Sequence, residues 1–138
     1  QVAALVSQDP AIAAKVLRLC NSAYFSAGRV ITDIRSAITR LGLQTLQRMV
    51  LASEAYGGPP VPGVDREAMQ ERAMRTSRLA AHLLAGPSAE LAATAGLLAE
   101  VGKLLPGVNR GGPDDVGPHY AEAGAYLLGL WGLPMPIV

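Results

Sequence analysis

The segment 57–63, GGPPVPG, constrains the fold more than any other feature of this sequence. Three prolines and three glycines in seven residues exclude a helix or a central strand at this position. On both sides of it, apolar residues recur three and four positions apart, which is the spacing of one face of an α-helix. We therefore predict an N-terminal helical lobe at residues 1–56, a linker at 57–64 and a C-terminal helical lobe at 65–138. Both ends of the chain are interpreted as cuts from a longer protein.

The N-terminal lobe is predicted to contain three helices. Asp9 and Pro10 mark the first start, because an Asp side chain can accept from free helix N–H groups and Pro fits the first helical position. Thr32 is the predicted capping residue of the second helix, and Gly42 is its predicted stop. The third helix is expected at about residues 43–54.

The C-terminal lobe is predicted to contain three further helices. Asp65 is expected to open the first of them, and Ser88 to cap the second, which reaches about Val101. A polar loop over 106–118 separates these two from a last helix at about 119–130. Because no stretch alternates apolar and polar residues as a strand does, the predicted fold class is all-α.

The composition argues against several functional classes. A formal net charge of +1 leaves no electrostatic footprint for nucleic acid. The single cysteine, Cys20, cannot form a disulfide within the chain, which favours a cytoplasmic protein, and its apolar neighbours indicate a buried, inert thiol. No apolar run approaches the roughly 20 residues that a membrane-spanning helix needs. Nucleic-acid and membrane partners are therefore both disfavoured.

Candidate catalytic side chains are scarce. The chain has two histidines, and we interpret His82 as a surface residue and His119, at a helix start, as a solvated or capping residue. Glu100 is an isolated ligand candidate, for which an exposed role is the simpler interpretation. No nucleophile elbow, phosphate-binding loop or dinucleotide fingerprint occurs in the sequence.

The stretch 33–54 invites a comparison with helix-turn-helix DNA readers. It is predicted to form two helices around a glycine turn, with Arg35, Arg40 and Arg48 on their polar sides. Its apolar residues are nevertheless sufficient to explain it as a helix hairpin of the core. A nucleotide- or DNA-binding regulator that uses this hairpin stays open as an alternative.

Four stretches, which together cover most of the chain, resemble the HDOD family, a bacterial domain family related to the HD phosphohydrolases. They are DPAIAAKVLRLCNSAYF, ITDIRSAITRLGLQTLQRMVLAS, GLLAEVGKLL and HYAEAGAYLLGLWGLPMPIV. The resemblance implies a multi-helix, HD-like bundle in two helical lobes. It also implies a regulatory role in signal transduction through protein–protein interaction, beside receiver, kinase or cyclic-dinucleotide-turnover domains.

The sequence departs from the HD enzymes at the positions that would bind metal. In the segment that resembles them, this chain has Ala99 and Glu100 where the HD enzymes carry a His-Asp pair. Thr76 stands at the position where an earlier helix of those enzymes carries another histidine. A further histidine of the pattern falls at Tyr120, one place after His119. The Ala99 side chain has no atom that can ligate a metal, and the Thr76 hydroxyl is a weak, neutral ligand. These positions could therefore not hold a metal that activates water.

We therefore expect a non-catalytic module without metal or cofactor, in which Thr76, Ala99 and Tyr120 mark a former pocket that is now packed or takes a small ligand. The plausible interaction surfaces are the hairpin 33–54 and the cleft between the lobes. A divergent metal-dependent phosphohydrolase that uses Glu100 and His119, with donors beyond Val138, is the enzymatic alternative.

Overall fold

The computed structural model describes residues 1–21 and 30–138, which form two compact units, residues 1–54 and residues 55–138. The described residues contain seven α-helices and one 3₁₀ helix but no β-strand, so the predicted all-α class is confirmed. None of these helices is both long enough and apolar enough to cross a bilayer. The last residues of the signature DPAIAAKVLRLCNSAYF, from Ser22 onward, lie outside the described residues.

The first unit is built from four helices: α1 (Val2–Gln8), α2 (Pro10–Cys20), α3 (Ile34–Leu41) and α4 (Leu43–Ala55), the last of which ends one residue beyond the unit. Asp9 caps α2 as predicted, because its Oδ1 accepts from the backbone N–H groups of Ala11 at 3.0 Å and Ile12 at 3.2 Å. Gly42 ends α3 as predicted, with a positive φ of 85° that favours glycine.

The predicted cap of α3 is wrong by one residue. Asp33, and not Thr32, is the N-cap of this helix. Its Oδ1 accepts from the backbone N–H of Ser36 at 2.8 Å and its Oδ2 accepts from the Ser36 hydroxyl at 2.7 Å. The carboxylate can accept from both groups at once, which the single hydroxyl of Thr32 could not do.

The core of the first unit is aliphatic and contains a sulfur contact. Cys20 and Met49 are fully buried, and the Cys20 Sγ lies 3.4 Å from the Met49 Sδ. The other buried apolar residues of this unit are Val6, Val16, Ile31, Ile34, Ala37, Leu46 and Ala52. Burial of these residues, rather than helix propensity, provides most of the stability of such short helices.

The second unit contains α5 (Arg66–Leu83), α6 (Pro87–Leu98), the 3₁₀ helix Val101–Leu104 and α7 (Tyr120–Leu130). Asp65 caps α5 as predicted, through a 3.0 Å bond from the Ala68 N–H. α5 and α6 pack along each other, and α7 packs against the 3₁₀ helix. The buried apolar residues of this unit are Tyr56, Met69, Ala73, Met74, Ala93, Leu97, Leu98, Val101, Val108 and Leu128.

Two predicted details of α6 are wrong. Its N-cap is Gly86, and no side chain caps it, because Pro87 takes the first helical position and places Ser88 inside the helix. Its end is at Leu98 rather than near Val101, where the chain tightens into the 3₁₀ helix. Because α6 ends at Leu98, Ala99 and Glu100 lie between the two helices and not within α6.

The segment after α4 is held by a side chain from the next helix. The Arg66 Nη1 donates to the carbonyl oxygens of Tyr56 at 3.1 Å and of Gly57 at 2.6 Å. These carbonyls follow the end of α4, where a helix leaves acceptors without partners. Arg66 therefore fixes the start of the Pro- and Gly-rich segment to the first turn of α5.

Candidate functional site

The four positions predicted from the resemblance lie in the second unit. Thr76 is on α5, Ala99 and Glu100 lie between α6 and the 3₁₀ helix, and Tyr120 is the first residue of α7. The side chains of Thr76 and Ala99 are exposed, whereas those of Glu100 and Tyr120 are partly buried. Thr76 and Ala99 lie on the surface of this unit and are not packed, so a cleft that takes a small ligand is the part of the expectation that stays a prediction.

Glycines set how closely these elements approach. A Cβ built on Gly102, in the 3₁₀ helix, would lie 1.9 Å from the carbonyl oxygen of Tyr120 and 2.8 Å from the backbone nitrogen of Gly124. A Cβ on Gly96, in α6, would lie 3.3 Å from the backbone of Thr76. The contact at Gly102 leaves room for hydrogen only, so the 3₁₀ helix lies directly against the first turns of α7, whereas the contact at Gly96 is tight but less restrictive.

Glu100 is the centre of a cluster of charges. Its Oε2 accepts from the Arg72 Nε at 3.3 Å, and its Oε1 accepts from the Lys103 Nζ. The side chains of Lys103 and Glu100 are 20% and 26% exposed, and that of Arg72 is 53% exposed. A carboxylate between two cations is thus held at the edge of the interior.

The pKa of Glu100 follows from these neighbours. Desolvation on partial burial raises the pKa of this carboxyl, but the hydrogen bond and charge of Lys103, together with the charge and hydrogen bond of Arg72, lower it by more. The pKa therefore lies below its ordinary value, and Glu100 is ionised at neutral pH.

Lys103 also contacts the predicted position on α7. Its Nζ lies 4.6 Å from the centroid of the Tyr120 ring, which is within the range of a cation–π interaction. The His119 ring packs beside Tyr120, with 4.5 Å between the ring centroids. The structure therefore brings Glu100 and Tyr120 together through one lysine, a residue that the sequence analysis did not single out.

His119 is the N-cap of α7. Its Nδ1 accepts from the backbone N–H of Ala121 at 3.3 Å, so the capping interpretation is confirmed. In a neutral imidazole, an accepting Nδ1 leaves the proton on Nε2, so neither ring nitrogen offers a free lone pair to a metal while this bond is made. The other histidine, His82, is exposed in the last turn of α5.

Tyr56 is a second residue that the sequence analysis missed. It is 3% exposed, and its hydroxyl donates to the Leu97 carbonyl oxygen near the end of α6. Burial raises the pKa of this phenol, and the negative charge of Glu100 raises it further. Tyr56 therefore caps the helix end from which Glu100 projects, and its hydroxyl is protonated at neutral pH.

The side chains at these positions do not fit a divalent metal. Ala99 offers no donor atom, and both oxygens of Glu100 already accept from cations. Within residues 1–21 and 30–138, no three His, Cys, Asp or Glu side chains lie close enough together to hold an ion. A catalytic metal needs several such donors around it, and at most one carboxylate is present here.

Two other predicted features lie in the first unit. Cys20 is buried, and desolvation raises the pKa of its thiol to about 11, against a smaller lowering by a backbone hydrogen bond, which agrees with an inert thiol. The hairpin 33–54 consists of α3 and α4, with Arg35 and Arg40 exposed and Arg48 partly buried beside Thr45.

Comparison with known proteins finds a family model and a relative that match this chain. The family model "HDOD domain" matches residues 1–108, a range that includes Thr76, Ala99 and Glu100 and ends before Tyr120. A protein of Treponema pallidum (strain Nichols), described as an uncharacterized protein, is 31% identical over 163 residues. That alignment covers 99% of this chain but 31% of the relative, so the chain spans about a third of its length. No solved structure matches.

Proposed function

We propose that this chain, which belongs to the HDOD domain family, is a non-catalytic regulatory module that transmits signals by binding other proteins. The observation that carries the proposal is the pairing of the Glu100 carboxylate with two cations. The one carboxylate left at the positions of the HD motif is engaged by Arg72 and Lys103.

Electrostatics support this proposal. A divalent ion at Glu100 would stand within a few ångströms of two positive charges. Two unit charges 4 Å apart interact with about 4 kcal/mol at an effective dielectric constant of 20, and a divalent ion would double that repulsion. Both oxygens of the Glu100 carboxylate are already paired, so a metal would have to compete with Arg72 and Lys103 for them.

The proposed partners are signalling proteins or adjacent domains of the receiver, kinase or cyclic-dinucleotide-turnover type, because the resemblance implies them. A cytoplasmic site of action belongs to the same proposal. The chain's single cysteine, which is buried and cannot form a disulfide within the chain, supports it.

The test is a metal and activity measurement on the purified chain and on Glu100→Gln. After incubation with manganese, iron or magnesium and gel filtration, elemental analysis is expected to find no stoichiometric metal in either protein. Hydrolysis of a generic phosphodiester and of cyclic dinucleotides is expected to be equal for the two. A metal-dependent rate that Glu100→Gln abolishes would contradict the proposal and favour the divergent phosphohydrolase.

A further inference from the structure

We propose that the Lys103 ammonium is an internal cation that does the structural work a bound metal would do, by joining the turn after α6 to the first residue of α7. The inference deepens the proposed function, since it rests on the same site and assumes that no metal is held there. It assigns Lys103 a positioning role toward the rest of the second unit.

The local backbone explains why a lysine at this position meets Glu100. A 3₁₀ helix has three residues per turn, so the side chains at positions 100 and 103 lie on the same side. The backbone N–H of Lys103 donates to the Glu100 carbonyl oxygen at 3.0 Å, and its Nζ donates to the Glu100 carboxylate. The two residues are therefore joined through both main chain and side chain.

Lys103 connects two further segments of the unit. Its Nζ lies over the ring of Tyr120, which begins α7. Its carbonyl oxygen accepts from the Arg110 Nε at 2.7 Å, and the same guanidinium donates through Nη2 to Leu105 at 2.9 Å. The α6 end, the loop after the 3₁₀ helix and the α7 start thus meet at one residue.

A positive charge is required at this point. The Glu100 side chain is 26% exposed, and its carboxylate would lose stabilisation if it were left with Arg72 alone, whose side chain is half exposed. The face of the Tyr120 ring carries negative potential, which also favours a cation. The ammonium satisfies both groups, whereas a neutral side chain of equal length would satisfy neither.

The chain contains its own matched control, because it has two lysines. Lys15 also pairs with a glutamate, but its Nζ lies 3.8 Å from the Glu54 Oε1 and the two side chains are 51% and 54% exposed. Exposed pairs of this kind contribute little to stability. Loss of a lysine charge should therefore matter at position 103 and not at position 15.

The experiment measures thermal unfolding of the chain and of Lys103→Met, Lys103→Arg, Lys15→Met, Glu100→Gln and the double variant Glu100→Gln/Lys103→Met. We expect Lys103→Met to lower Tm by about 5 °C or more and Lys15→Met by less than about 2 °C. Lys103→Arg, which keeps the charge, should stay near the parent. The double variant should lose less than the sum of its two single variants, since the two groups act on each other.

Chemical rescue separates a cation from a mere space-filling side chain. Ethylammonium should raise the Tm of Lys103→Ala more than sodium at equal ionic strength does, and should leave the Tm of the parent unchanged. An unchanged Tm in Lys103→Met, additive losses in the double variant, or a loss in Lys103→Arg as large as in Lys103→Met would overturn the inference. None of these outcomes depends on metal binding or hydrolysis. Failure of the inference about Lys103 can therefore be distinguished from failure of the proposed function.

Discussion

The two units hold their chain segments together with different chemistry. In the first unit the side-chain amide of Asn21, a neutral group, ties the end of α2 to the segment before α3. In the second unit a partly buried carboxylate with two cations, Glu100 with Arg72 and Lys103, lies where three segments meet. The charged cluster includes Glu100, a position at which the resemblance to HD enzymes implies a metal ligand. Asn21 lies at none of those positions.

The neutral tie of the first unit is complete in itself. The Asn21 Nδ2 donates to the carbonyl oxygens of Leu17 at 3.0 Å and of Ile31 at 2.6 Å, and its Oδ1 accepts from the Ile31 N–H at 2.7 Å. One amide thereby satisfies both polar groups of a buried residue. The first unit therefore joins two of its segments without a charged group, whereas the second unit places a carboxylate and two cations where its segments meet.

The largest expected effect concerns the close approach of the 3₁₀ helix to α7. Gly102→Ala should destabilise the chain by about 3 kcal/mol or more, because its Cβ would fall 1.9 Å from the Tyr120 carbonyl oxygen and one of the two backbones must move. Denaturant unfolding measures the change.

Gly129→Ala is the matched control for this prediction. Gly129 also belongs to the second unit, on α7, but nothing lies within 4 Å of a Cβ there. Alanine should stabilise this helix by about 0.5–1 kcal/mol. Equal effects of the two substitutions would show that the backbone contact at Gly102 is absent.

The next effect breaks the neutral tie of the first unit. Asn21→Ala should cost about 2–3 kcal/mol of unfolding free energy, since it leaves the N–H and carbonyl of the buried Ile31 without their partner. Asn21→Asp keeps the acceptor and loses the donor, so its cost should differ from that of Asn21→Ala. A loss under about 0.5 kcal/mol for Asn21→Ala, measured by denaturant unfolding, would contradict the comparison of the two units.

Much of the fold could be predicted from the sequence because its signals are local. Asp9, Gly42 and Asp65 mark helix ends through interactions within a few residues, and the structure confirms all three. The failures are also instructive: Thr32 and Asp33 both can cap, and the sequence does not show which one the backbone selects. Ser88 has a capping side chain, but the preceding proline already begins the helix.

The candidate site was predictable only in part. The resemblance points to Thr76, Ala99, Glu100 and Tyr120, but the groups that decide the chemistry act over distance. Arg72 is 28 residues from Glu100 and Tyr56 is 41 residues from Leu97. The spacing of Glu100 and Lys103 was the one local signal, and it is informative only when α6 is known to end at Leu98 and a 3₁₀ helix to follow.

A smaller effect is expected from the Tyr56 hydroxyl. Tyr56→Phe removes the bond to the Leu97 carbonyl and should cost about 1–1.5 kcal/mol in a denaturant melt. The control is Tyr126→Phe, since Tyr126 is 72% exposed and its change should be within about 0.5 kcal/mol. An unchanged free energy of unfolding in Tyr56→Phe would mean that the end of α6 needs no cap from this side chain.

The smallest effect is the pH dependence of the charged cluster. Because the folded-state pKa of Glu100 lies below its unfolded value, its contribution to stability is present above the unfolded value, 4.5, and is lost as pH falls through the folded one. The Tm difference between the parent and Glu100→Gln should therefore be constant near neutrality and shrink below about pH 4.5. A difference that grows on acidification would show that the pKa is raised instead.

We propose that the chain's own cations, Arg72 and Lys103, occupy the Glu100 carboxylate and so keep a metal from binding there. The most direct measurement is the broadening of backbone amide NMR signals by added Mn²⁺, a paramagnetic ion. We expect no selective broadening at residues 76, 99–103 and 120 at low metal concentration. Strong, saturable broadening centred on these residues, removed by Glu100→Gln, would contradict it.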